Sequence, residues 1–457
     1  MVKSTISAPV IEFRRNRWWW GIGLCLLLGI VPVGLAQQSR SFVNIVGAQA
    51  AYRFLSQVVE RFGETTIYKY PLIEATGDEA GITMFCLELA VETPDILMLD
   101  RRMRLEEYAR CARNGVGELI EMFIGFEAVV IVSGTEMPPL DLDLGELFLA
   151  LAATVPNPSN PQEIVENPHR RWQAIHSRLP DAPISILGPP TGSALERLLA
   201  QRGLALGCQR LEAIQALAET NPVEYRQVCH RLREDTEVYE AVSLHNDELL
   251  EQLLNNPSQL ALTTYGFLQD YRDDLRHVLV DSIPPSVTVM QEHRYPLARP
   301  LYVYLKVGHL QLIPGLREFA EELVSEETVG RRGYLRDLGL VTLPPPDLEA
   351  LIRTVELMSP MEPPTPTTAE IMAEAGTDEE VPPEDPVLTL DLAAWEAVKN
   401  SENILMFQLY LEKFPEGQFL EMANRRLEEL QTAAAEAAAV AEDIEALEDD
   451  SGAGDDG

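Results

Sequence analysis

The sequence predicts an α/β protein built on parallel strands. Between residues 42 and 113, short apolar runs typical of strands alternate with stretches whose apolar residues recur at helical spacing. Each run ends in a turn that leads into the next helix, a pattern that builds a parallel sheet with helices on both faces. Because ligands of such sheets lie at the carboxyl ends of strands, the loops of interest are 47–51, 75–81 and 99–102.

The first segment contains three strand–helix units. The predicted strands cover residues 43–47, 67–74 and 94–99, and the predicted helices cover 51–62, the stretch through Met84 and Phe85, and 105–111. In the first helix the apolar residues fall on one face, as an amphipathic helix requires: Tyr52, Phe54, Leu55, Val58, Val59 and Phe62.

A second α/β segment follows a strongly apolar strand at 128–132. It runs from about 140 to 255 and contains a strand at 185–188 before a turn-to-helix junction at 189–199. Residues 258–267 and 301–307 are predicted strands, and 314–324 is a predicted helix. Three consecutive prolines at 344–346 are expected to end the folded region.

The charge is strongly acidic and unevenly distributed. The 457-residue chain has 36 Lys and Arg against 72 Asp and Glu, a net charge of −36. Residues 370–457 alone carry 24 acidic and four basic residues, a net charge of −20. A protein this acidic lacks the basic surface needed to neutralise phosphates, so nucleic acid is excluded as a partner.

The N-terminus, residues 1–36, has the layout of a signal peptide or a membrane anchor. Three arginines at positions 14, 15 and 17 precede an apolar run at 18–36 that ends in small residues. The run is also long enough to span a bilayer, so both interpretations remain open. Either one predicts a body outside the cytoplasm: a periplasmic protein, or one anchored in the inner membrane if the segment is uncleaved.

Four cysteines remain in the body of the chain. In an oxidising compartment disulfides persist, and four cysteines allow three connectivities, with four free thiols as a further alternative. Two local bridges, Cys86–Cys111 and Cys208–Cys229, are favoured over these. No cysteine or histidine spacing typical of zinc is present, and neither a metal nor another cofactor is expected.

The C-terminal region differs in composition. Residues 359–387 are rich in Pro, Thr and acidic residues and predict a linker, and 432–457 predict an acidic tail. Residues 391–431 suit two amphipathic helices joined at 414–417, a hairpin that resembles a single tetratricopeptide-like unit. One such unit cannot bury its apolar face alone, so it is expected to dock on a partner, on the main body or on a second copy, the alternative being a marginal helical tail.

Several stretches carry a resemblance to a known family. Residues 45–54, 74–81, 95–102 and 188–193 resemble, in order, the four ligand-binding loops of the phosphate-type periplasmic solute-binding proteins of ABC importers. Residues 229–235, 295–302 and 333–335 are also similar to that family. The resemblance implies a two-lobed type II periplasmic binding protein that closes on its ligand about hinge strands near 128–133 and 258–265, with the helical hairpin added at its C-terminus.

The resemblance also implies boundaries and a site. The binding domain would cover 42–345, with lobe 1 at about 42–128 and 265–345 and lobe 2 at about 134–257. The family binds a tetrahedral oxyanion through hydroxyl groups, helix N-termini and an arginine. Carried onto this sequence, the candidate ligand-binding residues are Ala48, Gln49, Ala50, Thr76, Asp78, Glu79, Asp100, Arg101, Thr191, Gly192 and Ser193.

The candidate site departs from the family pattern. Alanines stand where the first loop has hydroxyl residues, two acidic residues occupy the glycine-rich second loop, and Asp100 replaces a serine before Arg101. Thr76 and Ser193 have simpler alternative roles in turn geometry and helix capping. The sequence therefore predicts a diverged anion site.

Two functions follow from these patterns. One is a periplasmic receptor that delivers phosphate or another small solute to an ABC importer. The other is a non-transport interaction or signalling protein built on a degenerate binding fold, in which the helical hairpin and the acidic tail engage a partner. The expected partner of residues 391–431 is an ABC permease or another envelope protein. No catalytic motif is present, so an enzyme is not expected.

Overall fold

The computed structural model describes residues 40–365 and 391–433, except 393, 396, 397, 400, 402 and 416. The predicted signal or anchor at 1–36, most of the predicted linker and residues 434–457 of the predicted tail lie outside the described residues. Within the described part of the chain, no helix combines the length and apolar character needed to cross a membrane.

Among the described residues, the strands form one ten-stranded sheet and two separate two-stranded sheets. In the main sheet the order is β2-β1-β3-β13-β4-β10-β8-β9, and β11 and β14 also pair with β4. The strands are β1 (Asn44–Gly47), β2 (Leu72–Glu74), β3 (Ile96–Leu99), β4 (Leu119–Gly134), β5 (Asp141–Leu142), β6 (Thr154–Asn157), β7 (Asn160–Glu166), β8 (Ile186–Gly188), β9 (Tyr239–Ala241), β10 (Leu260–Thr264), β11 (Leu275–His277), β12 (Leu279–Val280), β13 (Ala298–Lys306) and β14 (Leu340–Val341).

Helices cover the faces of these sheets. They are α1 (Gln49–Thr65), α2 (Asp78–Phe85), α3 (Leu105–Arg113), α4 (Leu144–Leu151), α5 (Trp172–Ile175), α6 (Ala194–Leu198), which continues through a π-helical turn at Leu199–Leu204 into α7 (Ala205–Cys208), α8 (Glu212–Thr220), α9 (Pro222–His230), α10 (Asn246–Asn255), α11 (Tyr265–Asp270), α12 (Val287–Gln291), α13 (Leu316–Leu323), α14 (Glu326–Val329), α15 (Tyr334–Asp337), α16 (Pro345–Glu356), α17 (Ile404–Lys413) and α18 (420–433).

Strand β4 belongs to both lobes. Its first part, residues 119–128, pairs with β13, and residues 129–133 pair with β10. Nearly all of its residues are buried because both faces of the sheet are covered, which explains its continuous apolar sequence. The two-lobed α/β fold predicted from the sequence is confirmed, and β4 is one of its crossing strands.

The second crossing lies later in the chain than predicted. Residues 267–297 contribute to the core of the second lobe, and the chain re-enters the first lobe at β13, which begins at Ala298. The predicted return at 265 and the predicted hinge at 258–265 are therefore wrong. The reason is that β10 pairs with the second-lobe part of β4 and with β8, so it belongs to the sheet of that lobe.

Two other predicted boundaries are corrected. The strand predicted over 67–74 is limited to β2, because α1 continues to Thr65 and Ile67 is 97% exposed. The folded region does not end at the prolines: Pro345 begins α16, a position where the missing N–H costs nothing, and Leu348, Leu351 and Val355 are buried. Beyond it, Met361 N donates to Leu119 O over 2.7 Å, so the start of the predicted linker lies against the body.

The C-terminal helices dock on the first lobe. Along its strands, alternate residues face two different cores, as the two-residue period of a strand requires: Ile96 and Met98 face one, Leu97 and Leu99 the other. The second of these cores also contains residues from 394 to 423, among them Trp395 and Phe407. Three helical stretches contribute, since the described residues from 391 to 398 are helical before α17 and α18, where the sequence predicted two helices.

Both predicted local disulfides are present. Cys86 is bonded to Cys111, which joins the end of α2 to α3, and Cys208 is bonded to Cys229, which joins α7 to α9. All four residues are buried.

Candidate functional site

The first two candidate loops meet backbone to backbone at the ends of β1 and β2. Gly77 N donates to Gly47 O over 2.9 Å, and Ala48 N donates to Met98 O over 2.8 Å. Gly47 has φ +131°, and a Cβ there would lie 2.0 Å from Met98 O, so only glycine fits. The Ala48 N–H is therefore used within the protein, and Gln49, which is exposed, and buried Ala50 supply the first free N–H groups of α1.

Acidic side chains occupy the N-terminus of α2. Gly77 precedes the helix without a side-chain cap, and Asp78 and Glu79 are its first residues. Carboxylates are favourable there because the helix dipole places partial positive charge at that end. The hydroxyl of Thr76 donates to Gly77 O over 3.3 Å, a contact within its own turn.

Asp78 lies beside Asp100, which follows β3. Burial of Asp78, followed by the negative charge of Asp100 and a hydrogen bond to it, raises the pKa of Asp78 to about 7. Near neutral pH Asp78 therefore holds a proton part of the time and can donate a hydrogen bond as well as accept one.

Arg101 is held by carboxylates of its own lobe. Its guanidinium contacts both oxygens of Glu107, at 2.9 and 2.7 Å, and lies 3.2 Å from Glu79 Oε1. Its Nε is 3.7 Å from Asp78 Oδ2. The structure thus brings Asp78, Glu79, Asp100 and Arg101 into one cluster, in which acidic groups outnumber the arginine.

A buried carboxylate joins two arginines where the lobes meet. Glu127, on β4, has no exposed surface. It accepts from Arg53 Nη2 at 2.6 Å and from Arg299 Nε and Nη2 at 2.9 and 2.6 Å. Arg299 also donates to Gln201 Oε1 of the second lobe at 2.7 Å and lies 3.4 Å from Asp100 Oδ2.

This network was missed as a site by sequence reasoning, although signals for it exist. Arg53 and Arg299 both lie in stretches that carry the family resemblance. Glu127 is a charged residue at the start of a strongly apolar strand, where a carboxylate is stable only with a buried partner.

Of the three candidate residues in the second-lobe loop, Ser193 lines a cavity that Arg53 of the Glu127 network also lines. Ser193 caps α6, its Oγ accepting from Glu196 N at 3.1 Å, as its simpler role predicted. Ser193 lines a cavity of about 210 Å³ together with Arg53 and Thr263. Thr191 instead lines a different cavity, and Gly192 bonds to Glu196 and Arg197 of its own lobe. Of the eleven predicted residues, four form the acidic cluster of the first lobe, four lie at the adjoining ends of β1 and β2, and three lie on a separate second-lobe loop.

The fold and sequence place this chain among known proteins. The sequence model of a family described as PBP superfamily domain matches residues 34–327. Protein SphX of Synechocystis sp. (strain ATCC 27184 / PCC 6803 / Kazusa) is 24% identical over 322 residues, which cover 68% of this chain and 82% of SphX.

A solved structure has the same fold. The crystal structure of a possible phosphate binding protein from Planctomyces limnophilus DSM 3776 superposes with a TM-score of 0.51 at 17% identity, covering 70% of this chain and 98% of that one. PstS from Borrelia burgdorferi gives 0.40 at 15% identity, with coverage of 64% and 95%. The family match spans well over half of the sequence, and the chain belongs to the PBP superfamily.

Proposed function

We propose that this chain is an extracytoplasmic solute-binding protein whose lobes close on a small protonated oxyanion, with phosphate as the first candidate. The observation that carries the proposal is the position of Asp100. It lies at the carboxyl end of β3, beside Asp78 and within 3.4 Å of Arg299, which itself reaches Gln201 of the second lobe. The Planctomyces limnophilus protein, described as a possible phosphate-binding protein, has the same fold and supports this choice.

The carboxylates favour an anion that carries a proton. A ligand O–H can donate to an oxygen of Asp100 or Asp78, whereas an anion without a proton cannot make this bond and is repelled by whichever carboxylate is charged. Two unit charges 4 Å apart interact by about 4 kcal/mol at an effective dielectric constant of 20, which is roughly a thousandfold in affinity. Phosphate at neutral pH retains a proton and sulfate does not, so the site is expected to prefer phosphate.

Location outside the cytoplasm is supported by the two disulfides, which persist only in an oxidising compartment. The expected partner is the permease of an ABC importer. Because the apolar faces of the C-terminal helices contact the first lobe, a partner would meet their outer surface, where Leu392 and Met422 are exposed.

A specific observation favours a second function, an interaction or signalling protein. Arg53, Arg101 and Arg299 are all paired with carboxylates of the protein itself. An anion gains less from an arginine that is already neutralised, so these internal ion pairs weaken anion binding at the site. In that case the docked C-terminal helices would provide the functional surface.

Calorimetric titration separates the two functions. The exported chain is titrated with phosphate and with sulfate, and Asp100→Asn is compared with Asp273→Asn, whose side chain is 95% exposed. Phosphate is expected to bind the wild type and the control, and Asp100→Asn is expected to lose the preference for phosphate over sulfate. If the calorimeter records no binding heat at millimolar phosphate, the phosphate-receptor function is rejected. The interaction or signalling function then remains as the proposal.

A further inference from the structure

A second cavity lies between residues of the two lobes, outside the candidate site. It has a volume of about 710 Å³ and is formed by both lobes. The second lobe contributes α11 and the residues after it, and the first lobe contributes residues 331–345. A cavity of this size accommodates a ligand considerably larger than phosphate, since small-molecule sites usually measure about 300–1,000 Å³.

The cavity wall is rich in arginine. Among the described residues that line it are Arg272, Arg331, Arg332 and Arg336, and the acidic residues among them are Asp270 and Asp337. Arg336 forms an ion pair with Asp270 across the lobes. Within the described ranges, Arg331 and Arg332 make no side-chain hydrogen bond or ion pair, and both are exposed.

Arg272 is also available to a ligand. Its closest carboxylate, that of the adjacent Asp273, is 3.9 Å away, and both side chains are largely exposed. The local excess of positive charge is notable in a chain whose net charge is −36, because random placement of its charges would favour an acidic surface. Three of the four arginines are thus free or nearly free to bind an anion, in contrast to those of the candidate site.

The cavity adjoins the candidate site through one short segment. This segment is 338–340. At one end, Leu338 O accepts a hydrogen bond from Arg53 Nη1 of the Glu127 network over 2.6 Å, and at the other end Leu340 lines the cavity. Between them, Gly339 packs against Thr264, the residue immediately before α11. Movement of the lobes would therefore change the shape of both spaces.

We propose that this cavity binds a linear oligophosphate group, such as tripolyphosphate or the phosphate chain of a nucleoside triphosphate, between the two lobes. Guanidinium groups bind phosphate oxygens in pairs, and a chain of phosphates can reach arginines on both walls. The proposal does not depend on what the candidate site binds.

Calorimetry with tripolyphosphate and with ATP tests the proposal on the full chain at fixed ionic strength. Arg331→Gln/Arg332→Gln removes the free charges of the first lobe, and Arg272→Gln removes that of the second. The matched control, Arg226→Gln/Arg425→Gln, removes two exposed arginines elsewhere. All of the substituted side chains lie on the surface, and an unchanged melting temperature verifies that the variants fold.

At least one of the two probes is expected to bind the wild type and the control equally. Each cavity variant is expected to lose roughly tenfold or more in affinity, because every lost guanidinium removes charge-assisted hydrogen bonds. If ATP and tripolyphosphate bind with similar affinity, the protein recognises the phosphate chain alone. If only ATP binds, the protein also contacts the nucleoside. Absence of binding by both probes, or an affinity unchanged in the cavity variants, would overturn the proposal. Orthophosphate titrations of the same variants report separately on the candidate site.

Discussion

The carboxylate of Asp78 should destabilise the folded protein above neutral pH. Its side chain is only 20% exposed, and it lies beside Asp100 with Arg101 as a distant counter-ion at 3.7 Å. Burial and the neighbouring Asp100 raise its pKa from an ordinary value of 3.8 to about 7. The substitution Asp78→Asn keeps the shape of the side chain and removes the charge.

The magnitude follows from the two pKa values. Each pH unit between them corresponds to about 1.4 kcal/mol, which gives an upper value of about 4 kcal/mol. Between pH 4 and pH 7 the folded state keeps a proton that the unfolded state has lost, so wild-type stability falls as pH rises and the cost is complete above pH 7. We therefore expect Asp78→Asn to match the wild type near pH 4 and to be more stable by about 2–4 kcal/mol at pH 8.

Urea unfolding curves at pH 4.5, 6, 7 and 8 measure this difference, with the exposed Asp273→Asn as the control. The control is expected to follow the wild type at every pH. A variant that is less stable than the wild type at pH 8 would show that Arg101 and the dipole of α2 stabilise the charged Asp78, and the reasoning about burial would be wrong. A difference that does not change with pH would refute the raised pKa.

Three further predictions concern the first lobe. Burial lowers the pKa of Lys306 to about 7, so above pH 7 the unfolded chain holds a proton that the folded chain has lost. The stability of the wild type relative to Lys306→Met should therefore rise by about 1.4 kcal/mol per pH unit between pH 7 and pH 9. Urea unfolding at these pH values measures the difference. Trp395→Ala should cost about 3–5 kcal/mol of packing and lower hydrogen-exchange protection across 391–433, whereas the exposed Met422→Ala should not. Removing the Cys86–Cys111 bridge, which spans 25 residues, should cost about 3 kcal/mol, and equal melting temperatures would contradict this.

Local sequence patterns predicted the presence of helices and strands well, and their first and last residues less well. Burial of alternate or helically spaced residues produces the pattern, so β1, α1 and β3 were found close to their observed positions. The residues before β2 alternate in the same way as a strand, yet Tyr68 stacks on Phe62 and Tyr70 covers Gly63. There the rings of Tyr68 and Tyr70 lie against the end of α1 while Ile67 is exposed, so the alternating pattern does not correspond to a strand.

The two disulfides were predictable because each joins elements that are close in sequence. Signs of the individual residues of the Glu127 network exist in the sequence, but their pairing was not predictable, because Arg53 and Arg299 lie 74 and 172 residues away from Glu127. No periodicity of a single chain reports which distant arginine meets a buried carboxylate. The same reason explains the late return to the first lobe: the position of β10 is decided by its pairing with β4, which the sequence of β10 does not reveal.

The ion pairs of the candidate site differ in how easily an anion could replace their carboxylates. Glu127 is fully buried and contacts Arg53 and Arg299 at 2.6 Å, so its displacement would leave an uncompensated charge at a cost of about 3–5 kcal/mol. Asp100 is 34% exposed and lies 3.4 Å from Arg299, and Asp78 is 3.7 Å from Arg101. These two longer contacts can be exchanged for contacts to a ligand without disturbing the buried bridge. Glu127 therefore fixes Arg53 and Arg299 in place, and in the proposed receptor the acidic loops would determine which anion can reach them.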